Sequence, residues 1–88
     1  MELKYKGTFK RDFETANKAL IEAVHEAVMN VKTAKSIEQI QHLKKLHKYK
    51  THYRIHIAND YRIGIIIRKN TVWFVRFGHR NIIYKQFP

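Results

Sequence analysis

The chain has 88 residues, 18 Lys/Arg against 7 Asp/Glu, and no cysteine. That length holds one domain, residues 1–88, with one modest core, so a deep cleft between two lobes is excluded and any site is expected as a shallow groove. The absent thiols exclude disulfides and thiolate metal centres, and a formal net charge of +11 favours a polyanionic partner.

The opening Met1-Glu2-Leu3-Lys4-Tyr5-Lys6 lacks the apolar run of a secretion signal. No later stretch approaches the roughly 20 apolar residues that span a bilayer, so a cytoplasmic protein is expected. Leu3 and Tyr5 alternate with polar neighbours, which predicts a short first strand. Gly7 ends it, and Thr8 can cap a helix. Phe9, Phe13, Leu20, Val24, Val28 and Val31 then recur at helical spacing, with a break near Thr15-Ala16-Asn17 that divides the stretch into two helices. Ser36-Ile37-Glu38-Gln39 has the spacing of a capping box and predicts a helical turn. Leu43 and Leu46 follow, set among Lys44, Lys45, His47, Lys48 and Lys50.

From Tyr53 the period becomes two. Tyr53, Ile55 and Ile57 alternate with Arg54 and His56, and Ala58-Asn59-Asp60 has turn chemistry. Tyr61, Ile63, Ile65 and Ile67 form the next strand, Lys69-Asn70 the next turn, and Thr71 to Phe77 a β-branched and aromatic third strand. Gly78 is expected to end it, with Asn81 to Phe87 as a short tail. The result is an α+β fold: an N-terminal strand and helices packed on one face of a C-terminal antiparallel sheet.

Strand parity brings the polar residues together. A loop at residues 58–60 puts His56 opposite Arg62, with Arg54 on the same face. At the second hairpin a two-residue loop sends Thr71, Trp73, Val75 and Phe77 to that face, whereas an odd loop sends Val72, Phe74 and Arg76 there. The odd loop is favoured because the other choice drives Arg76 into the core, where an unpaired charge is costly. Core packing is expected for at least two of Trp73, Phe74 and Phe77, although each ring can stack on a base.

Charge is concentrated on these strands. Residues 1–41 hold seven Lys/Arg and six Asp/Glu, while residues 42–88 hold eleven Lys/Arg and a single acid, Asp60. Cations interleaved with strand sequence point to nucleic acid and away from a membrane surface. One carboxylate in the last 47 residues disfavours a Mg²⁺ site. The spacing of His42, His47 and His52 suits no metal either, so no cofactor is expected.

The run Tyr53-Arg54-Ile55-His56-Ile57, Asp60-Tyr61-Arg62-Ile63-Gly64, Val75-Arg76-Phe77-Gly78-His79-Arg80 and Ile83-Tyr84 resembles the RelE/ParE toxin family of bacterial type II toxin-antitoxin systems. The resemblance covers roughly the last 36 residues closely. It implies a ribosome-dependent mRNA endonuclease held in check by a cognate antitoxin. In that family the positions of Arg62, Arg80 and Tyr84 serve catalysis, and those of Arg54, His56 and His79 assist or bind RNA.

The residues fit such chemistry. RNA carries its own nucleophile, the 2′-hydroxyl, so cleavage needs a proton acceptor, a proton donor and cations for the phosphorane, without metal. Arginine suits the last task because its planar fork stays charged. Histidine, titrating near 6.5, suits proton transfer. His56 and His79 stand where the family often has lysine, and His79, beside Arg80, is the favoured proton carrier. Tyr84 is a base if cations lower its pKa, or otherwise a stacking platform. Arg54 and Arg76 read as phosphate contacts, and Lys44, Lys45, Lys48 and Lys50 as solvated charges that add long-range RNA affinity. Two other functions stay open: a non-catalytic ParE-like inhibitor of DNA gyrase, and a small basic nucleic-acid-binding module.

Overall fold

The computed structural model describes all 88 residues. Strand β1 (Glu2–Tyr5) is followed by helix α1 (Gly7–Asp12), a 3-10 turn at Phe13–Thr15 and helix α2 (Lys18–Thr33). A second 3-10 turn, Ile37–Gln39, precedes β2 (Leu43–Lys45), β3 (His52–Ile57), β4 (Tyr61–Arg68), β5 (Thr71–His79) and helix α3 (Arg80–Gln86). The strands form one sheet in the order β1-β5-β4-β3-β2. β2 to β5 make an antiparallel meander, and β1 joins β5 in parallel. No helix is long and apolar enough to cross a membrane.

The helical stretch breaks where expected. The Leu20 N–H donates to Asn17 Oδ1 at 2.9 Å, which caps α2 by satisfying one of its free amides. Thr8 is not a cap. Lys6 holds the N-cap position of α1 without a side-chain bond, and the Thr8 hydroxyl donates to the Val75 carbonyl. The turn after Ser36 also forms without a side-chain bond from the serine; Gln39 Oε1 instead accepts from the Lys35 N–H at 2.8 Å.

The main core lies between α1, α2 and one face of the sheet. Phe9, Val24 and Val31 pack there with Ile55, Ile57, Ile63, Ile65, Ile67, Val72, Phe74 and Phe77, all buried. The alternating burial at the end of β3 follows from the period-two pattern of its isoleucines, whereas β4 is buried without a break from Arg62 to Ile65.

The β4–β5 hairpin follows neither expected register throughout. Lys69 and Asn70 both have positive φ, 46° and 65°, the signature of a two-residue turn. That turn sets Ile67 against Val72 and Ile66 against Trp73. A bulge then intervenes: Ile65 pairs with Phe74 but Gly64 with Arg76, which leaves Val75 as the extra residue. The even parity therefore holds up to the bulge and the odd parity beyond it. One inserted residue lets Phe74 and Phe77 both reach the core while Arg76 stays out of it.

The expected tail is a helix. β5 continues past Gly78 to His79, and α3 then turns back over the sheet face opposite α1 and α2. There Ile83 and Phe87 are buried with Leu46 and pack on Ile66 and Val75. Gly64 permits this approach, since a Cβ on it would lie within 2.8 Å of three Phe87 ring carbons. Helices thus occupy both faces, not one.

Candidate functional site

The face that α3 partly covers carries the basic residues. In register across three strands, Lys44 lies beside Arg54, Arg54 beside Gly64, and His56 beside Arg62. The 58–60 loop produces the expected pairing of His56 with Arg62.

Arg62 is only 7% exposed. Its Nη1 donates to the Tyr61 carbonyl at 2.8 Å and to the Asn59 carbonyl at 3.2 Å. Its Nε is buried without a partner, as is that of Arg54. Neither has a carboxylate, because the ion pairs of the chain are Arg76–Asp12 and Arg80–Asp60. A buried cation held only by neutral oxygens is poorly compensated, and an arriving phosphate supplies the missing charge.

Arg54 leans on α3, its guanidinium carbon 4.2 Å from the centre of the Tyr84 ring. Tyr84 itself is 47% exposed, so it presents surface to solvent while stacked on a cation.

The 58–60 loop gathers the remaining candidates. The Arg80 N–H donates to the Asp60 carbonyl at 2.6 Å, and Arg80 Nε lies 3.8 Å from Asp60 Oδ1 with both side chains half exposed. Such a pair holds the arginine loosely and leaves it free to engage another anion. His79 lies opposite Tyr61, the two rings edge to face at 5.6 Å. Its Nδ1 accepts from the Asn81 N–H at 3.2 Å, so in the neutral ring the proton sits on Nε2.

His56 is held below the ordinary histidine range, first by burial and then by the charges of Arg62, Lys44, Arg54 and His42. That direction favours the neutral imidazole, the form able to accept a proton. Both expected histidines lie at the site: the acceptor nitrogen of His79 caps α3, and His56 is the one biased toward the neutral form.

The other candidates divide. Arg76 shares the Arg62 parity but is no open phosphate contact. Its Nη2 pairs with Asp12 Oδ1 of α1 at 3.0 Å, and Nη1 donates to Gln86 of α3. These contacts join two helices at the sheet edge and engage the guanidinium that was expected to contact RNA. Lys44 faces the site beside Arg54. Lys45 pairs with Tyr53 and so points to the opposite side, while Lys48 and Lys50 lie exposed in the loop between β2 and β3. A cavity of 690 Å³ opens round the corner between α2 and β3. It includes His42 and His56 but none of the arginines.

Sequence reasoning missed Asp60 and His42 as parts of this site. Asp60 read as a turn residue; its being the one acid of the basic half was the available signal. His42 has a backbone φ of 60° and its carbonyl accepts from the His56 N–H at 3.0 Å, a proximity without any sequence pattern.

Residues 3–84 match the family model described as the ParE toxin of the type II toxin-antitoxin system parDE. The chain belongs to this family of RelE/ParE toxins. Toxin RelE3 of Methanocaldococcus jannaschii is 29% identical over 89 residues, covering 100% of both chains. The toxin fold is equally clear in solved structures. The RelB-RelE antitoxin-toxin complex from Methanococcus jannaschii superposes with a TM-score of 0.79 at 27% identity, over 97% of this chain and 99% of that one. YafQ from E. coli gives a TM-score of 0.74 at 15% identity, over 94% and 97%, a likeness of fold alone.

Proposed function

We propose that this toxin is an endoribonuclease that cuts mRNA on the ribosome by metal-independent attack of the 2′-hydroxyl on the neighbouring phosphate. The observation that carries this reading is Arg62, buried and without a carboxylate, directly opposite a His56 biased toward its neutral form. His56 accepts the 2′-hydroxyl proton as the O2′–P bond forms. Arg62 and Arg80 neutralise charge on the phosphorane. The P–O5′ bond then breaks, and the 5′-oxygen takes a proton from water, leaving a 2′,3′-cyclic phosphate. Tyr84, backed by Arg54, stacks on a base next to the cut, and Lys44 extends the phosphate path.

The partner that silences it is a cognate antitoxin, as the RelB-RelE complex suggests for a similar toxin. A basic face of this kind suits an acidic amphipathic segment. The second reading, inhibition of gyrase, is favoured by the ParE description of the matching family model.

A translation reaction on a defined mRNA decides between them. Wild type is expected to cut ribosome-bound message, and Arg80→Ala, at an exposed position, to lose about 100-fold in rate, the scale of removing one preorganised charge donor. Intact message with wild type, together with blocked supercoiling by gyrase, would move the assignment to the second reading.

A further inference from the structure

Trp73 is the one tryptophan of the chain, and it packs in neither apolar cluster. Its strand neighbours Val72 and Phe74 are fully buried in the main core. The two-residue turn at Lys69 and Asn70 puts Trp73 on the same face as the candidate site, beside Ile66 on β4 and Lys4 on β1. What covers the indole is charge: Lys6 Nζ is 4.4 Å and Lys4 Nζ 5.2 Å from the ring centre. Arg68, exposed, lies on the same face one register step away, opposite Thr71. The one acid at this corner, Glu2, accepts a hydrogen bond from the Thr71 hydroxyl at 3.3 Å.

A partly buried indole flanked by flexible cations has the composition of a single-strand platform. The ring offers a π-face to any base, and the ammonium groups sit where flanking phosphates would pass. α3 separates this corner from Arg54, His56 and Arg62, because Ile83 and Phe87 rest on the intervening Gly64, Ile66 and Val75. We propose that Trp73, Lys4 and Lys6 form a second binding site for single-stranded RNA, on the far side of α3 from the candidate cleavage site. Trp73 stacks on an unpaired base, while Lys4 and Lys6, aided by Arg68, hold the phosphates on either side. The proposal rests on the RNA reading above for its biological sense, but its readout is binding and needs no cleavage.

The full chain is titrated with a 2′-O-methyl oligouridylate, which lacks the attacking hydroxyl, while tryptophan emission is followed. Saturation is expected to quench emission at least twofold, since the only indole lies in the site. Lys4→Gln/Lys6→Gln, both surface changes, should weaken binding and reduce the salt slope of log K by about 1.4, the value for two lost single-strand phosphate contacts. Trp73→Leu, which has no indole left to follow and is read by anisotropy of a dye-labelled oligouridylate, should weaken binding by roughly ten- to hundredfold, the scale of one lost base stack. Poly-glutamate, a polyanion with nothing to stack, should leave emission within a few per cent of its starting value.

Unchanged emission with saturating RNA overturns the proposal, as does quenching whose affinity and salt slope survive the double lysine change. Equal quenching by poly-glutamate overturns it in favour of an acidic protein partner. Cleavage of ribosome-bound message without quenching removes this site and spares the cleavage reading; quenching without cleavage does the reverse.

Discussion

His56 faces Arg62 across two strands and shares its face with Arg54 and Lys44. Burial and these cations lower its pKa; burial and Arg68 do the same to His52. In the unfolded chain both titrate near 6.5. Below that pH the unfolded state takes up protons that the folded state refuses. The stability associated with these neutral imidazoles is therefore complete above about 6.5 and is lost as the pH falls through their lowered values. Urea midpoints measured from pH 8 to pH 5 are expected to decline on the acid side, and His52→Gln/His56→Gln to flatten that decline. A decline of the same steepness in the double variant would place its origin elsewhere. Arg62 itself was legible as a site residue from strand parity, but its burial was not. The buried guanidinium donates to the carbonyls of Asn59 in the loop and of Tyr61 at the start of β4, contacts that no sequence pattern announces.

α3 is seated on the sheet through one contact that only glycine allows. A methyl group at Gly64 would meet the Phe87 ring within 2.8 Å, so Gly64→Ala is expected to cost about 1–3 kcal/mol by overpacking. Because the clash needs the ring, most of that cost should vanish in a Phe87→Ala background, as a double-mutant cycle of urea unfolding would reveal. Additive effects would mean that Gly64 serves some other contact. This helix was the least legible element. Its cap is His79, outside the usual Ser/Thr/Asp/Asn set, and Ile82-Ile83 carries no helix signal of its own. Strands β3 and β4 were legible because Ile55, Ile57, Ile63, Ile65 and Ile67 recur at every second position on the main-core face, although β4 is buried on its other face too. β5 was legible as a strand but not in register, because the bulge at Val75 changes parity midway. Thr8 misled because a hydroxyl signals a cap equally well when its actual partner is elsewhere, whereas the turn announced by Ser36 does form, with the serine in the N-cap position.

Across the whole molecule the charge divides by half-chain, and the fold converts that division into one face. Lys48 and Lys50 lie exposed beside it in the β2–β3 loop, far from any partner in the sheet. Lys48→Gln/Lys50→Gln is expected to slow association with RNA and lower the salt slope by up to about 1.4, with the cleavage rate of bound message unchanged. Binding measured between 50 and 300 mM salt, alongside single-turnover cleavage, separates the two effects. A loss in the single-turnover rate would place these lysines in the reacting site.

The β5 edge is completed by a change of partner. The Lys6 N–H reaches the Phe74 carbonyl, the Thr8 hydroxyl the Val75 carbonyl, and Asp12 takes the Phe77 N–H at 2.9 Å. Where β1 ends, α1 continues its hydrogen bonding with side chains. The opposite edge is only the three-residue β2, carrying Lys44 and Lys45. A sheet this rich in isoleucine would otherwise offer a template for strands of other chains to add to. With β1 and then α1 covering the edge of β5, and with the two border strands, β1 and β2, each short and lysine-bearing, neither border offers a long apolar strand for another chain to extend.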